Sequence, residues 1–157
     1  MKLLFRQRMF SWFDSYDIYD SNGNTLFTVK GELAWGRLLR IYDAGGNAIG
    51  YLKQRVFTLL HQFEIYKGEA FVGTISERFA LFKTKFDIDF NGWRVDGNFV
   101  GWNYSVTDAS GEKIATVSYE LFKWADSYVI DVKNSDDALL VLMIALAIDA
   151  DVSDRRS

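Results

Sequence analysis

A repeated hairpin is the feature that most constrains what this chain can become. The segment Tyr16–Lys30 runs through Asp20-Ser21-Asn22-Gly23-Asn24, and Leu39–Lys53 runs through Asp43-Ala44-Gly45-Gly46-Asn47. Tyr104–Ser118 repeats the plan around Asp108-Ala109-Ser110-Gly111-Glu112, and Phe63–Gly73 is a shorter relative with Lys67-Gly68-Glu69 at its middle. An Asp can bond the backbone just ahead of it, and a Gly supplies the positive φ of a tight turn. With strand-like runs on both sides, each copy reads as a β-hairpin. The Asp20 loop also places oxygens on alternate positions, as a calcium loop does. An EF-hand loop needs flanking helices and a Glu closing its twelve-residue ring. The closing position counted from Asp20 is Gly31, so the turn is read as a turn and no metal site is assigned.

Alternation extends the strand pattern. In Lys83–Phe90 every odd position is charged, which puts Phe86, Ile88 and Phe90 on one face. In Phe57–Ile65 the odd positions are apolar except His61, and Tyr128, Ile130 and Val132 share a face of a late strand. Such segments amount to roughly ten to twelve strands, more than one flat sheet carries, and a barrel or sandwich is expected. Zero proline and regularly spaced glycines fit a string of strands and tight turns in a single domain over 1–157. Strands are expected over about 3–133.

The C-terminal segment breaks the pattern. Asp136–Asp149 is rich in Ala and Leu, with Asn134 or Ser135 as cap and Asp136 and Asp137 suited to a helix N-terminus. Its apolar residues cover every face, so it must be surrounded. Eleven consecutive apolar residues, Ala138–Ile148, fall short of the ~20 that a membrane-spanning helix needs. The expected solution is a helix over about 136–149 inside a closed sheet, followed by a short polar tail, 150–157. The alternative is a buried strand and a turn.

Composition sets further bounds. There is no cysteine, which tilts towards a reducing compartment. The charges in Met1–Phe13 interrupt any apolar centre of a signal peptide. The expected location is the cytoplasm, with peripheral membrane contact as a variant, and the sequon Asn103-Tyr104-Ser105 is read as a chance match. The net charge of −3 divides unevenly. Residues 1–94 carry 13 Lys+Arg against 10 Asp+Glu, whereas residues 95–157 carry 5 against 11. A net negative protein is a poor non-specific binder of nucleic acid or anionic membrane. No nucleic acid is expected as a partner, and only a local basic patch within residues 1–94 would favour an anionic surface.

The aromatic hairpins with Asp-x-x-Gly turns lead into Tyr128-Val129-Ile130-Asp131-Val132 and Ser135-Asp136-Asp137-Ala138-Leu139-Leu140-Val141-Leu142. This pattern resembles the LURP-one-related family of the Tubby C-terminal-like superfamily, to which the phospholipid scramblases also belong. The resemblance covers Leu3 to about Asp149. It implies an all-β fold with one helix: a twelve-stranded antiparallel barrel closed around the apolar C-terminal helix. Tubby domains bind phosphoinositide head groups through a basic pocket, so the resemblance also implies an anionic lipid or a protein partner on the outer surface. The palmitoylated cysteines of scramblases have no counterpart here.

Candidate sites are sparse. His61 is the single histidine. On the apolar phase of its segment it reads as a histidine satisfied in or near the core rather than a general base. Asp87 with Asp89 reads as a solvated strand face, and Asp136 with Asp137 as the start of the helix. No nucleophile elbow, phosphate loop or dinucleotide fingerprint occurs. No catalytic residue and no cofactor is assigned. Among the basic residues Arg37, Arg40, Lys53, Arg55, Arg78, Lys83 and Lys85, the first four are the candidate anion-binding patch. Exposed Trp12, Trp35, Trp93, Trp102 or Trp124 beside it would favour a membrane interface. The expected function is a non-enzymatic binding or scaffold module. The alternative is a small hydrolase-like enzyme, which a cleft gathering His61 with two carboxylates would favour.

Overall fold

The structure, a computed structural model, describes residues 1–6, 15–121 and 126–156. Its strands are β1 (Lys2–Phe5), β2 (Ser15–Tyr19), β3 (Thr25–Ala34), β4 (Gly36–Asp43), β5 (Ala48–Gln54) and β6 (Gln62–Lys67). They continue as β7 (Ala70–Ala80), β8 (Lys83–Ile88), β9 (Arg94–Asn98), β10 (Asn103–Thr107), β11 (Lys113–Leu121) and β12 (Asp126–Val132). All twelve form one antiparallel sheet ordered β8-β7-β6-β5-β4-β3-β2-β1-β12-β11-β10-β9. The chain meanders, β12 pairs back onto β1, and the nearly closed barrel has its seam between β8 and β9.

The repeated turns share one geometry. Asp20 Oδ1 accepts from the backbone N–H of Asn22 and of Asn24, each at 2.9 Å, and Gly23 has φ 84°. Asp43 accepts from Gly45 and Asn47 N–H, and Asp108 from Ser110 and Glu112 N–H, with Gly46 at φ 82° and Gly111 at φ 87°. Backbone N–H donors hold the Asp20 and Asp43 carboxyls below the usual carboxylate range. Oxygens already bound to N–H groups are poorly placed for a cation.

Period-two alternation delivers the core. Register pairs Val29 with Ile41, Leu39 with Leu52, Leu52 with Ile65, and Leu3 with Ile130, all buried. Phe86 and Phe90 are buried and Ile88 is half-buried, as their phase predicts.

The C-terminal segment is a helix that begins and ends later than expected. Asn134 Oδ1 accepts from Asp136 N–H and caps a 3-10 turn, Ser135–Asp137, from which α1 (Ala138–Arg156) continues. From Leu140 to Ala150 the apolar side chains are buried on every face of α1, in one cluster with the inward strand residues. The helix packs on β5, β6 and β7 and also on β12, half-way round the sheet. Gly50 on β5 permits the approach, since a Cβ there would lie 2.5 Å from Met143 Cε. The polar tail expected from 150 is instead helix, and Asp149 and Asp151 are buried. Both have polar partners from the connections between strands, Trp102 for Asp149 and His61 for Asp151, so the chain need not leave the interior to satisfy them.

A second difference lies at His61. Residues 55–61 are an irregular connection between β5 and β6, in which Phe57 and Leu59 are exposed and Phe57 has φ 60°. Only Phe63 and Ile65 of the expected apolar phase point inward. The alternation there is coincidence, because loop residues have no common face.

Candidate functional site

Antiparallel order puts the β3–β4, β5–β6, β7–β8 and β9–β10 connections at one end of the barrel. The C-terminal turns of α1 meet that end, and a polar cluster joins them to the strands. His61 Nδ1 lies 2.6 Å from Asp151 Oδ1 and 3.6 Å from Glu77 Oε2. Its Nε2 lies 3.9 Å from Asp154 Oδ2. The loop is pinned locally, because the His61 carbonyl accepts from Glu77 N–H at 2.9 Å. Arg155 completes the cluster. Its guanidinium donates to Glu77 Oε1, donates to Thr84 Oγ1 at 2.6 Å, and lies 3.2 Å from Asp151 Oδ2 through Nε. Arg37, at the start of β4, donates to both oxygens of Asp154.

This arrangement corrects the placement of His61 on the apolar phase of a strand: it is a loop residue at the edge of the core, and its partners are at hand. The ring is partly exposed and has carboxylate partners from three directions, on β7 and on two turns of α1. His61, Glu77 and Asp151 offer ligand atoms within 4.8 Å of one another, a spacing that suits a cation. The cation on those carboxylates is the Arg155 guanidinium, and a metal ion would have to displace it. A His held by a carboxylate is also how a general base is oriented. His61 lines a shallow depression of 370 Å³ together with Arg37, Arg55, Phe57, Thr58 and Asp154.

Burial of Asp151, and behind it the charge of Asp154, push the Asp151 carboxyl up to about 7. The proton is then held more tightly in the folded chain than in the unfolded one, where the value is 3.8. The stabilisation is full below the unfolded value and is lost as pH rises through the folded value. Stability should therefore fall between about pH 4 and 7 by up to ~1 kcal/mol per unit, and Asp151→Asn should flatten the slope. Urea unfolding at pH 5 and pH 7 measures it.

A second polar group lies deeper. The Trp102 indole N–H donates to Asp149 Oδ1 at 3.1 Å, and Trp102 is itself buried with φ 53°. Burial, then the charge of Asp149, push the Tyr16 and Tyr104 hydroxyls far above the tyrosine range.

The basic candidates divide. Arg40 and Lys53 lie on adjacent strands, β4 and β5, with Arg55 just beyond β5, whereas Arg37 turns to the helix end. Each arginine meets a carboxylate: Arg40 binds Glu32 through Nε and Nη2 and stacks on Tyr51, and Arg55 lies 3.7 Å from Glu64. Trp35 is exposed beside Lys53, Trp93 and Trp102 are buried, and Trp12 and Trp124 lie outside the described residues. Neither carboxylate pair faces a cleft. Asp87 binds Arg78, Asp89 accepts from Thr74 N–H and Oγ1, and Asp136 and Asp137 belong to the capped turn. Sequence reading missed Glu77, Asp149, Asp151 and Arg155. One signal was present, since Asp151 and Arg155 stand at the i,i+4 spacing of a continuing helix.

Three comparisons place this architecture. The Bacillus subtilis protein YxjI, which bears the description uncharacterized, is 29% identical over 150 residues, covering 95% of this chain and 92% of that one. An X-ray structure of an Arabidopsis thaliana protein has the same fold, with TM-score 0.62 at 18% identity over 94% of this chain and 89% of its own. The family model described as LURP-one-related matches residues 1–149, the whole barrel and most of the helix that it encloses in sequence. The chain belongs to the LURP-one-related family.

Proposed function

We propose that the protein is a non-enzymatic binding module that engages its partner from the outside of the barrel, in the cytoplasm. One observation carries this reading: the helix takes up the barrel interior. From Leu140 to Val152 it is buried between β5, β6 and β7 on one side and β12 on the other. A lipocalin-type barrel keeps that space for a ligand; here it is core, apart from a cleft of 520 Å³ at the β8–β9 seam beside the last turns of the helix, lined among others by Phe82, Phe86, Phe99 and Arg155. Recognition therefore falls to the outer surface and the loops. Arg40, Lys53 and Arg55 serve there as the anion-facing part, with Glu32 and Glu64 as the carboxylates an incoming anion would replace. The absence of cysteine supports a reducing compartment, and no described helix is long and apolar enough to cross a membrane.

The enzyme reading has one observation in its favour, the gathering of His61 with Glu77, Asp151 and Asp154. Against it, Arg155 neutralises Glu77 and Asp151, and Arg37 occupies Asp154. Each partner of the base is committed to an ion pair that locks the helix end. The test is a panel of esterase, phosphatase and glycosidase substrates with wild type and His61→Asn. The expected result is no turnover by either protein, with a loss of ~1–2 kcal/mol in the variant from the broken hydrogen bond. Robust wild-type turnover that disappears in a still-folded variant would overturn the binding-module reading.

A further inference from the structure

We infer that the loop end of the barrel docks on the surface of an anionic lipid bilayer, inserting the apolar tips of three consecutive hairpins. The inference rests on the binding-module reading and names its partner.

The two ends of the barrel have opposite chemistry. The far end carries the Asp-x-x-Gly turns at Asp20, Asp43 and Asp108. The loop end carries Leu33 and Trp35 on the β3–β4 hairpin, Phe57 and Leu59 on the β5–β6 connection, and Leu81 and Phe82 on the β7–β8 hairpin. Trp35 is 80% exposed, Phe57 97%, Leu59 100% and Phe82 105%. Single exposed apolar residues are ordinary on a protein surface. Here they occupy three successive tips along the contiguous strands β3 to β8, so they form an arc. Exposed apolar side chains gathered at one end of a sheet, rather than scattered singly, point to an interaction site.

Two of these residues also cost the fold something. Phe57 and Phe82 both have φ 60°, a left-handed conformation that Gly or Asn adopts more easily. Neither side chain repays the strain by packing, since both are almost wholly exposed.

The charges point to the occupant. On β4, Arg37 lies nearest the loop end, where it is paired with Asp154, and Asp43 lies farthest from it; on β8, Lys83 and Lys85 lie nearest and Asp87 farther, while Glu32 near the loop end of β3 is paired with Arg40. Lys53 and Arg55 stand at the loop end of β5. On β6 the order is reversed, with Glu64 near the loop end against Arg55. Cations set just behind apolar tips match anionic head groups above an acyl region. The shape agrees. The tips stand on separate connections with their side chains in the open. A bilayer interface admits separate tips to a common depth without a complementary groove. Trp35 suits the head-group boundary.

The test is co-sedimentation with phosphatidylcholine vesicles with and without phosphatidylglycerol, comparing wild type with Phe57→Asn/Phe82→Asn. Asn tolerates the left-handed backbone, so the variant should melt no lower than wild type. Wild type should bind the phosphatidylglycerol vesicles at low salt, and less with added salt. The double variant should bind at least about tenfold more weakly. If the double variant fails to fold, Leu59→Ser serves instead, at a position that is fully exposed and has no positive φ. Three results would overturn the inference. They are no wild-type binding at low salt, binding unchanged by the variants, and a wild-type dimer that the variants dissociate without any vesicle binding. Failure here with no turnover in the substrate panel removes the bilayer and keeps the binding module; turnover removes the module itself.

Discussion

Leu142→Asp is expected to leave no folded protein. Leu142 is completely buried in α1, with helix and strand side chains on all sides. The new carboxylate would find neither water nor a cation. It would either stay charged without a partner or take up a proton at a cost in pKa, and both cost several kcal/mol. A domain of this size is stable by only ~5–15 kcal/mol. The variant should appear in the insoluble fraction or lack a cooperative melt. A conservative control, Leu142→Met, should cost less than ~1.5 kcal/mol, because volume is nearly conserved. A soluble Leu142→Asp protein with a wild-type melting curve would mean that the helix is not enclosed.

Arg155→Ala should have the next largest effect. The guanidinium binds Glu77 and Asp151, two buried carboxylates, and also Thr84. Truncation leaves the buried Glu77 carboxylate without its cation, beside an Asp151 carboxyl that burial already pushes up. Removing one partner of a buried pair typically costs 3–5 kcal/mol; Arg155 itself is partly exposed, so roughly 2–4 kcal/mol is expected. The melting temperature should drop by roughly 5–15 °C. Glu77→Gln introduced into Arg155→Ala should recover part of the loss, since it removes one of the stranded charges. Equal destabilisation in the presence and absence of Glu77→Gln would show that Arg155 acts through packing alone, for instance through its contact with the Phe79 ring.

This cluster explains why the barrel and its helix cannot be treated as separate parts. Asp151, Asp154 and Arg155 on α1 bind groups on β4, β7, β8 and the β5–β6 connection. The helix end is fastened where apolar contact gives way to solvent. Close packing, as of Met143 against Gly50, already resists sliding of the helix, but apolar contact has no direction. Hydrogen bonds and ion pairs do have direction, and they fix its register. The same bonds bring the β5–β6 connection, with Phe57 and Leu59, to the rim of the loop end.

Local chemistry was legible in the sequence. The Asp-x-x-Gly turns, the period-two faces of β8 and β12, and the apolar helix start with its Asn134 cap depend on neighbours a few residues apart. Backbone sterics and side-chain alternation act at that range, so the pattern is written in the order of residues. The tertiary structure alone decided the rest. The apolar phase of Phe57–Ile65 broke at Gln62 into a loop and a strand, and the loop meets the end of α1 through His61 and Asp151. The expected polar tail became buried helix because Trp102, His61 and Glu77, remote in sequence, supplied partners for Asp149, Asp151 and Arg155. Sequence separation hides such pairs, since no local rule says which strand will lie beside which turn of a helix. The opposite chemistry of the two barrel ends followed from strand direction, which sorts alternate connections to alternate ends only once the sheet has formed.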